Sequence, residues 1–187
     1  MVGENALVCN SYVHMVNEKH FRRVCGLIDP DKVIFGGQAD ERTLRIQPTI
    51  MDRVTADDAV MQEEIFGPLL PVIAYDSIDE ALAFVNNREH PLALYLFSED
   101  PALQKCVLAS VPFGGGCIND TIVHLATSRM GFGGVGHSGM GSYHGKKSFD
   151  TFSHEKSVLK KSTRIDMPVR YMPYTPLKDR LLRVFLR

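Results

Sequence analysis

No tryptophan occurs among the 187 residues, and cysteine appears only four times, at Cys9, Cys25, Cys106 and Cys117. The cysteines are widely spaced and form no C-x-x-C pair, which argues against structural zinc and against a disulfide scaffold. They read as the reduced thiols of a cytosolic protein. No apolar run approaches the roughly 18 residues of a membrane-crossing helix. The opening "MVGENALVCN" lacks the basic-then-apolar layout of a secretory signal. No two histidines stand four apart beside a glutamate, so a zinc-protease helix is excluded. The reading assigns no metal.

A large charge of one sign is also missing: the formal net charge is −1. The balance hides an asymmetry. From residue 156 onward nine Lys and Arg stand against two Asp, leaving 12 basic and 20 acidic groups in the first 155 residues. An acidic body disfavours nucleic-acid binding, which needs a basic face.

What the chain does have is glycine, concentrated in "GFGGVGHSGMGSYHGKKS" from Gly131 to Ser148. The string holds G-x-G-x-x-G twice, at Gly131-Gly133-Gly136 and at Gly134-Gly136-Gly139. A dinucleotide fingerprint needs a buried strand before it and a helix after it. The preceding "HLATSRM" is not such a strand, and Gly145-Lys146 continues into a second lysine, so a P-loop fails too. The glycines need another task, such as close backbone approach or positive φ.

Periodicity outlines the elements. "VNEKHFRRVCGLI" reads as a helix capped by Asn17, with Phe21, Val24, Leu27 and Ile28 on one face. "KVIFGG" is a short strand. "LRIQPTIM" is extended, and Pro48 assigns it to a sheet edge. "LLPVIAYD", "LALYLFS" and "GGCIND" read as strands. Between them lie helices opened by Ser77 with Glu80 and by Asp100 with Pro101. This β-α-β-α-β order implies a parallel sheet with flanking helices. "HEKSVLKKS" reads as a polar strand. The ending "TPLKDRLLRVFLR" reads as a basic amphipathic helix, with Leu177, Leu181, Leu182 and Phe185 on one face among Lys178, Arg180, Arg183 and Arg187. Such a helix can dock on protein or lie on an anionic membrane surface.

Few side chains suggest chemistry by pattern alone. Glu63 and Glu64 precede an apolar run; Glu64 suits either a solvated helix end or a pocket wall that accepts hydrogen bonds from sugar hydroxyls. His124, His137, His144 and His154 read as loop or surface histidines. Cys117, within an apolar strand, reads as a buried, inert thiol.

Three stretches carry a resemblance: "EEIFGPLLPV", "PLALYLFS" and "FGGVGHSGMGSYHGKKSFDTFSHEKS". In this order they resemble the C-terminal part of the aldehyde dehydrogenase superfamily, and the last is similar to the class 3 and fatty-aldehyde branch. The likeness runs from about Val16 to Tyr174. It implies an incomplete α/β fold, with residues 1–154 a partial catalytic domain, 155–161 an oligomerisation strand and 162–187 a basic C-terminal tail. It implies NAD or NADP as cofactor, an aldehyde as substrate and a homodimer in the full-length form. Glu64 would bind the nicotinamide-side ribose, and Phe66 would pack near the nicotinamide ring. Phe132 would line the aldehyde entrance, and Asn119 would sit at a strand end near the active site. Gly131 departs from the family, where proline usually precedes this phenylalanine, and implies a looser loop.

The resemblance also implies a nucleophilic cysteine in G-Q-x-C, which forms a thiohemiacetal with the aldehyde. Here Gly37-Gln38 is followed by Ala39 and Asp40. The E-L-G-G general base and the Rossmann half are missing as well. The expectation is a chain that begins downstream of the nucleophile, as from a truncated gene, with no catalytic residue of its own and no activity alone. It would be cytoplasmic, with possible membrane contact through residues 175–187. The alternative is a non-catalytic module that pairs with a full-length subunit through strand 155–161.

Overall fold

The computed structural model describes residues 5–185, so Arg187 of the tail lies outside it. Five helices and seven short strands make up the mixed α/β structure: α1 (Glu18–Cys25), α2 (Ile78–Asn86), α3 (Pro101–Ser110), α4 (Gly145–Phe152) and α5 (Pro176–Phe185), with β1 (Val33–Phe35), β2 (Ala39–Asp40), β3 (Arg45–Ile46), β4 (Thr49–Met51), β5 (Leu69–Pro71), β6 (Ala93–Leu96) and β7 (Gly115–Ile118).

The local signals hold. Asn17 Oδ1 accepts the His20 amide at 2.9 Å, and Asp100 Oδ1 accepts that of Ala102 at 2.8 Å. Each cap satisfies an orphan donor of its helix. Ser77 Oγ accepts the Glu80 amide at 3.2 Å, while the Glu80 carboxylate reaches back one residue further than expected, to the Asp76 amide at 3.0 Å. On α1, Phe21 and Val24 are buried against Ile46, Met51, Val54, Val60 and Leu69; the helix ends at Cys25, so Leu27 and Ile28 lie beyond it, partly buried against the same cluster. Burying a side chain such as Val24 stabilises by about 1.5–3 kcal/mol.

The sheet differs from the single parallel array expected. The strands form three separate ladders: β1-β4-β5, β2-β3 and β6-β7. Pairs β4/β5 and β6/β7 are parallel, whereas β1/β4 and β2/β3 are antiparallel. The β6–α3–β7 unit is the expected β-α-β crossover, but no hydrogen-bonded ladder joins β5 to β6. Pro48 does not put "LRIQPTIM" at an edge. It falls between β3 and β4, where its missing N–H costs no ladder bond, and β4 runs in the centre of its sheet. The edge strands are β1 and β5, and β5 closes on Pro71 after three residues.

Beyond β7 the chain is largely exposed. Residues 154–162 are exposed and belong to no helix or strand, so the 155–161 segment forms no ladder with the other described residues. The tail helix α5 forms as its periodicity predicts. It rests on the short turn Pro168–Arg170, and Lys178 Nζ donates to the carbonyls of Tyr171 and Pro173. Its apolar residues Leu177, Leu181, Val184 and Phe185 remain exposed. Helix α4 was not foreseen: His144 precedes it at φ +84 and caps nothing with its side chain.

Candidate functional site

Glu64 and Phe66 lie on the turn between the Ala59–Met61 helical turn and β5. This turn is fastened to α1. Arg23 Nη1 donates to the Glu63 carboxylate at 2.8 Å and to the Glu64 carbonyl at 3.3 Å, and Arg23 Nη2 donates to the Ile65 carbonyl at 2.6 Å. Phe66 takes φ +47 and Gly67 lies on Val24, where a Cβ would come within 2.8 Å of Val24 Cγ1. The result is a turn that displays its side chains. Phe66 is 78% exposed, and the Glu64 carboxylate has no hydrogen bond or ion pair among the described residues. The two line different hollows. Phe66 joins residues 12–16, His20 and Pro68 around an apolar one of about 610 Å³. Glu64 joins Gln62, Glu63, Asn87, Arg88 and Glu89 around a polar one of about 520 Å³.

Asn119 follows β7 at φ +58. Its amide side chain mimics a strand: Oδ1 accepts the Ser98 amide at 2.8 Å and Nδ2 donates to the Ser98 carbonyl at 3.0 Å. It therefore locks together the ends of β6 and β7. Both polar ends of the side chain are thereby engaged with backbone.

Phe132 is half-buried in a group of rings. Its centroid lies 5.8 Å from that of Tyr143, 6.2 Å from His144 and 6.0 Å from His124. Backbone bonds between Phe132 and Tyr143, at 2.9 and 3.0 Å, close the glycine loop on itself. The glycines serve this closure. A Cβ on Gly133 would stand 2.0 Å from the Gly141 carbonyl oxygen, and one on Gly145, at φ +51, 1.8 Å from that of Ser128. Backbone packs on backbone there, and the G-x-G-x-x-G strings open only a three-residue 3-10 turn, Gly136–Ser138, and no α-helix directly. Gly131 is not in open space: a Cβ would approach Lys147 Cγ at 2.9 Å and Ser142 Oγ at 3.0 Å.

Two expectations about single residues change. His124 is a buried side chain, 5% exposed, because the loop folds it under β7 against Gly115. Cys117 is half-buried, with Sγ 3.6 Å from His124 Nδ1. No group of three potential metal ligands occurs among the described residues. Elsewhere, burial and then the nearby Glu41 carboxylate push the Cys25 thiol up, which disfavours its thiolate.

The structure thus places the candidate residues in three locations: the Glu64–Phe66 turn held by α1, the Asn119 end of β7, and the Phe132 loop, which meets β7 at its start beside Gly114. No hydrogen bond or ring contact joins the three among the described residues. Arg23 escaped the sequence reading because its partners lie about 40 residues away. The only local signal was a basic residue beside the buried face of α1.

Comparison with known proteins identifies the family. The pattern of the aldehyde dehydrogenase family matches residues 10–158. A 4,4'-diaponeurosporen-aldehyde dehydrogenase of Staphylococcus aureus is 52% identical over 92% of this chain and 38% of its own length. A dimeric NADP-preferring aldehyde dehydrogenase of Mus musculus is 49% identical over 87% of this chain and 36% of its own length. Among solved structures, the substrate-bound state of Staphylococcus aureus AldH superposes with a TM-score of 0.91 at 49% identity, covering 100% of this chain and 41% of that one. The NAD+ complex of an aldehyde dehydrogenase from Bacillus cereus reaches 0.72 at 29% identity, covering 80% of this chain and 31% of that one. The chain therefore spans well under half the length of these relatives. With its three motifs in order, its family pattern over residues 10–158 and class 3 relatives near half identity, this chain belongs to the aldehyde dehydrogenase family.

Proposed function

We propose that the chain works as the C-terminal portion of an NAD(P)-dependent enzyme that oxidises aldehydes to carboxylic acids. The observation that carries the reading is the turn at 63–67, which presents an unpaired Glu64 carboxylate and a Phe66 ring that is 78% exposed. An unpaired carboxylate suits the ribose hydroxyls beside the nicotinamide, because it can accept from two of them. The exposed ring gives the planar nicotinamide a surface to lie against. These residues fit the nicotinamide end of NAD or NADP and leave the nucleotide preference open. When bound, that cofactor accepts the hydride in the family reaction.

The remaining roles follow the same reading. Phe132 lines the aldehyde entrance from within its ring cluster. Asn119 fixes the β6–β7 end near it. The cysteine that attacks the aldehyde to form a thiohemiacetal belongs to a part of the enzyme outside these residues. Strand 155–161 pairs with a partner subunit to form the homodimer, and its exposed, unpaired backbone supports that reading. The same exposure favours a second reading, in which the chain is a non-catalytic module docked on a full-length subunit. Helix α5 either docks on protein or lies against an anionic membrane surface; no described helix is long and apolar enough to cross one.

The test is NAD(P)H production from a medium-chain aldehyde. The 187-residue chain alone produces none. Joined to an upstream segment that carries G-Q-x-C and the nucleotide-binding half, it produces NAD(P)H, and Glu64→Gln raises the dinucleotide KM. Turnover by the chain alone that survives Cys117→Ser would refute the reading.

A further inference from the structure

Phe66 holds φ +47, a conformation uncommon for a bulky residue and kept only where the surroundings enforce it. Two features of α1 do so. The Arg23 guanidinium ties down the Glu63 carboxylate and the carbonyls of Glu64 and Ile65, the two peptide units just before Phe66. Directly after Phe66, Gly67 is seated on the fully buried Val24, so close that any side chain would collide with it. Arg23 and Val24 are consecutive on a helix whose inner face is locked into the core. The turn is thus held from both sides by one rigid element.

We propose that Arg23 is the positioning residue of the dinucleotide site. Its guanidinium holds the Glu63–Gly67 turn in the form that presents Glu64 and Phe66 to the cofactor. The proposal rests on the roles assigned above to Glu64 and Phe66. Arg23 needs no contact with the dinucleotide. A planar fork of donors can serve a carboxylate and two carbonyls at once, and the side chain is shielded enough, at 24% exposure, to keep that geometry. Lysine keeps the charge but has no fork, so it restores the Glu63 pair without both carbonyl bonds. The neighbouring Arg22 faces outward to Glu18 and Glu41 and supplies a control of equal charge.

The experiment has two arms. In the 187-residue chain, a glutamate-specific protease is applied and cuts after Glu63 and Glu64 are followed by mass spectrometry. Arg23→Met is expected to speed these cuts several-fold, while Arg22→Met leaves them unchanged. In the full-length enzyme, Arg23→Met is expected to raise the dinucleotide KM about tenfold, the scale of losing one hydrogen bond from the ribose to a Glu64 carboxylate no longer held in place. The aldehyde KM stays constant, and Arg23→Lys recovers part of the loss. A merely structural role would lower the active fraction, and hence kcat, and would leave both KM values in place. The proposal is overturned if Glu64→Gln raises the dinucleotide KM but Arg23→Met does not, or if the cuts after Glu63 and Glu64 are unaffected. If Glu64→Gln itself has no effect, the cofactor role of Glu64 falls first, and the positioning role falls with it.

Discussion

Residues 18–73 and residues 131–185 are similar in length, yet they are stabilised by different means. The first stretch contains Phe21, Val24, Ile46, Met51, Val54, Val60 and Leu69, a contiguous core shared by α1, β3, β4, β5 and the turns between them. The second has no buried hydrophobic among the described residues. Phe152 is 91% exposed and Leu159 is 95% exposed, and the segment between them has no ladder. The first region is organised by its own burial, whereas the second keeps its shape by backbone closure and short-range pairs, and its apolar side chains stay exposed.

The largest expected effect separates the two regions directly. Met51→Ala empties a site that is 1% exposed and is expected to cost about 2–5 kcal/mol in denaturant unfolding. Phe152→Ala is expected to change stability by less than about 0.5 kcal/mol. Equal effects would erase the distinction.

Next comes the glycine loop. Gly145→Ala places a Cβ on the Ser128 carbonyl at a positive φ, with an expected local cost of about 1–3 kcal/mol. Because the loop lies outside the core, the loss should appear as faster proteolysis between residues 128 and 145, with little shift in the main unfolding transition. A shift as large as that of Met51→Ala would show that the loop belongs to the core.

Acid sharpens the comparison further. The Lys32 ammonium, 2.5 Å away, and the Thr55 amide hold the Asp58 carboxyl below the usual carboxylate range. A hydrogen bond from Lys161 holds Asp166 at about 2. In both cases the folded pKa lies below the unfolded one. The stabilisation is therefore complete above the unfolded pKa of about 3.9 and disappears as pH falls through the folded value. Asp58 fastens the core region, so Asp58→Asn should lower the melting temperature at pH 7 and flatten its fall below pH 4. Asp166→Asn, in the tail connector, should leave the main transition unmoved at both pH values.

The smallest effect concerns α5. Removing residues 175–187 should leave the melting temperature unchanged. In the full-length enzyme it should reduce sedimentation with anionic vesicles at low salt, since each basic residue near such a surface contributes roughly 1 kcal/mol. Unchanged sedimentation would leave α5 as a helix docked on protein.

Much of the first region and part of the site were legible in the sequence. Asn17, Ser77 and Asp100 marked helix starts because a cap needs only an amide two or three residues away. The spacing of Phe21 and Val24 named the buried face of α1. The motif around Glu64 and Phe66 named two residues that share one exposed turn, whereas Asn119 and Phe132 have no contact with each other among the described residues. Helix α4 was missed because its start, at His144 and Gly145, bears no cap and follows a loop of glycines. The burial of His124 was missed because it depends on how the loop folds under β7.

The sequence by itself determined the local frame: the helix caps, the apolar face of α1, the amphipathic α5, the β6–α3–β7 crossover and the family. Each of these rests on interactions a few residues apart or on motifs read in order. Only the tertiary structure decided that the strands divide into three ladders and that β4 runs centrally in spite of Pro48. Only it showed that the glycines serve backbone contact across the loop, and that Arg23 grips a turn 40 residues further along the chain. Those outcomes depend on which distant backbone groups meet, and a carbonyl brought close by folding carries no identity that its own sequence position could announce.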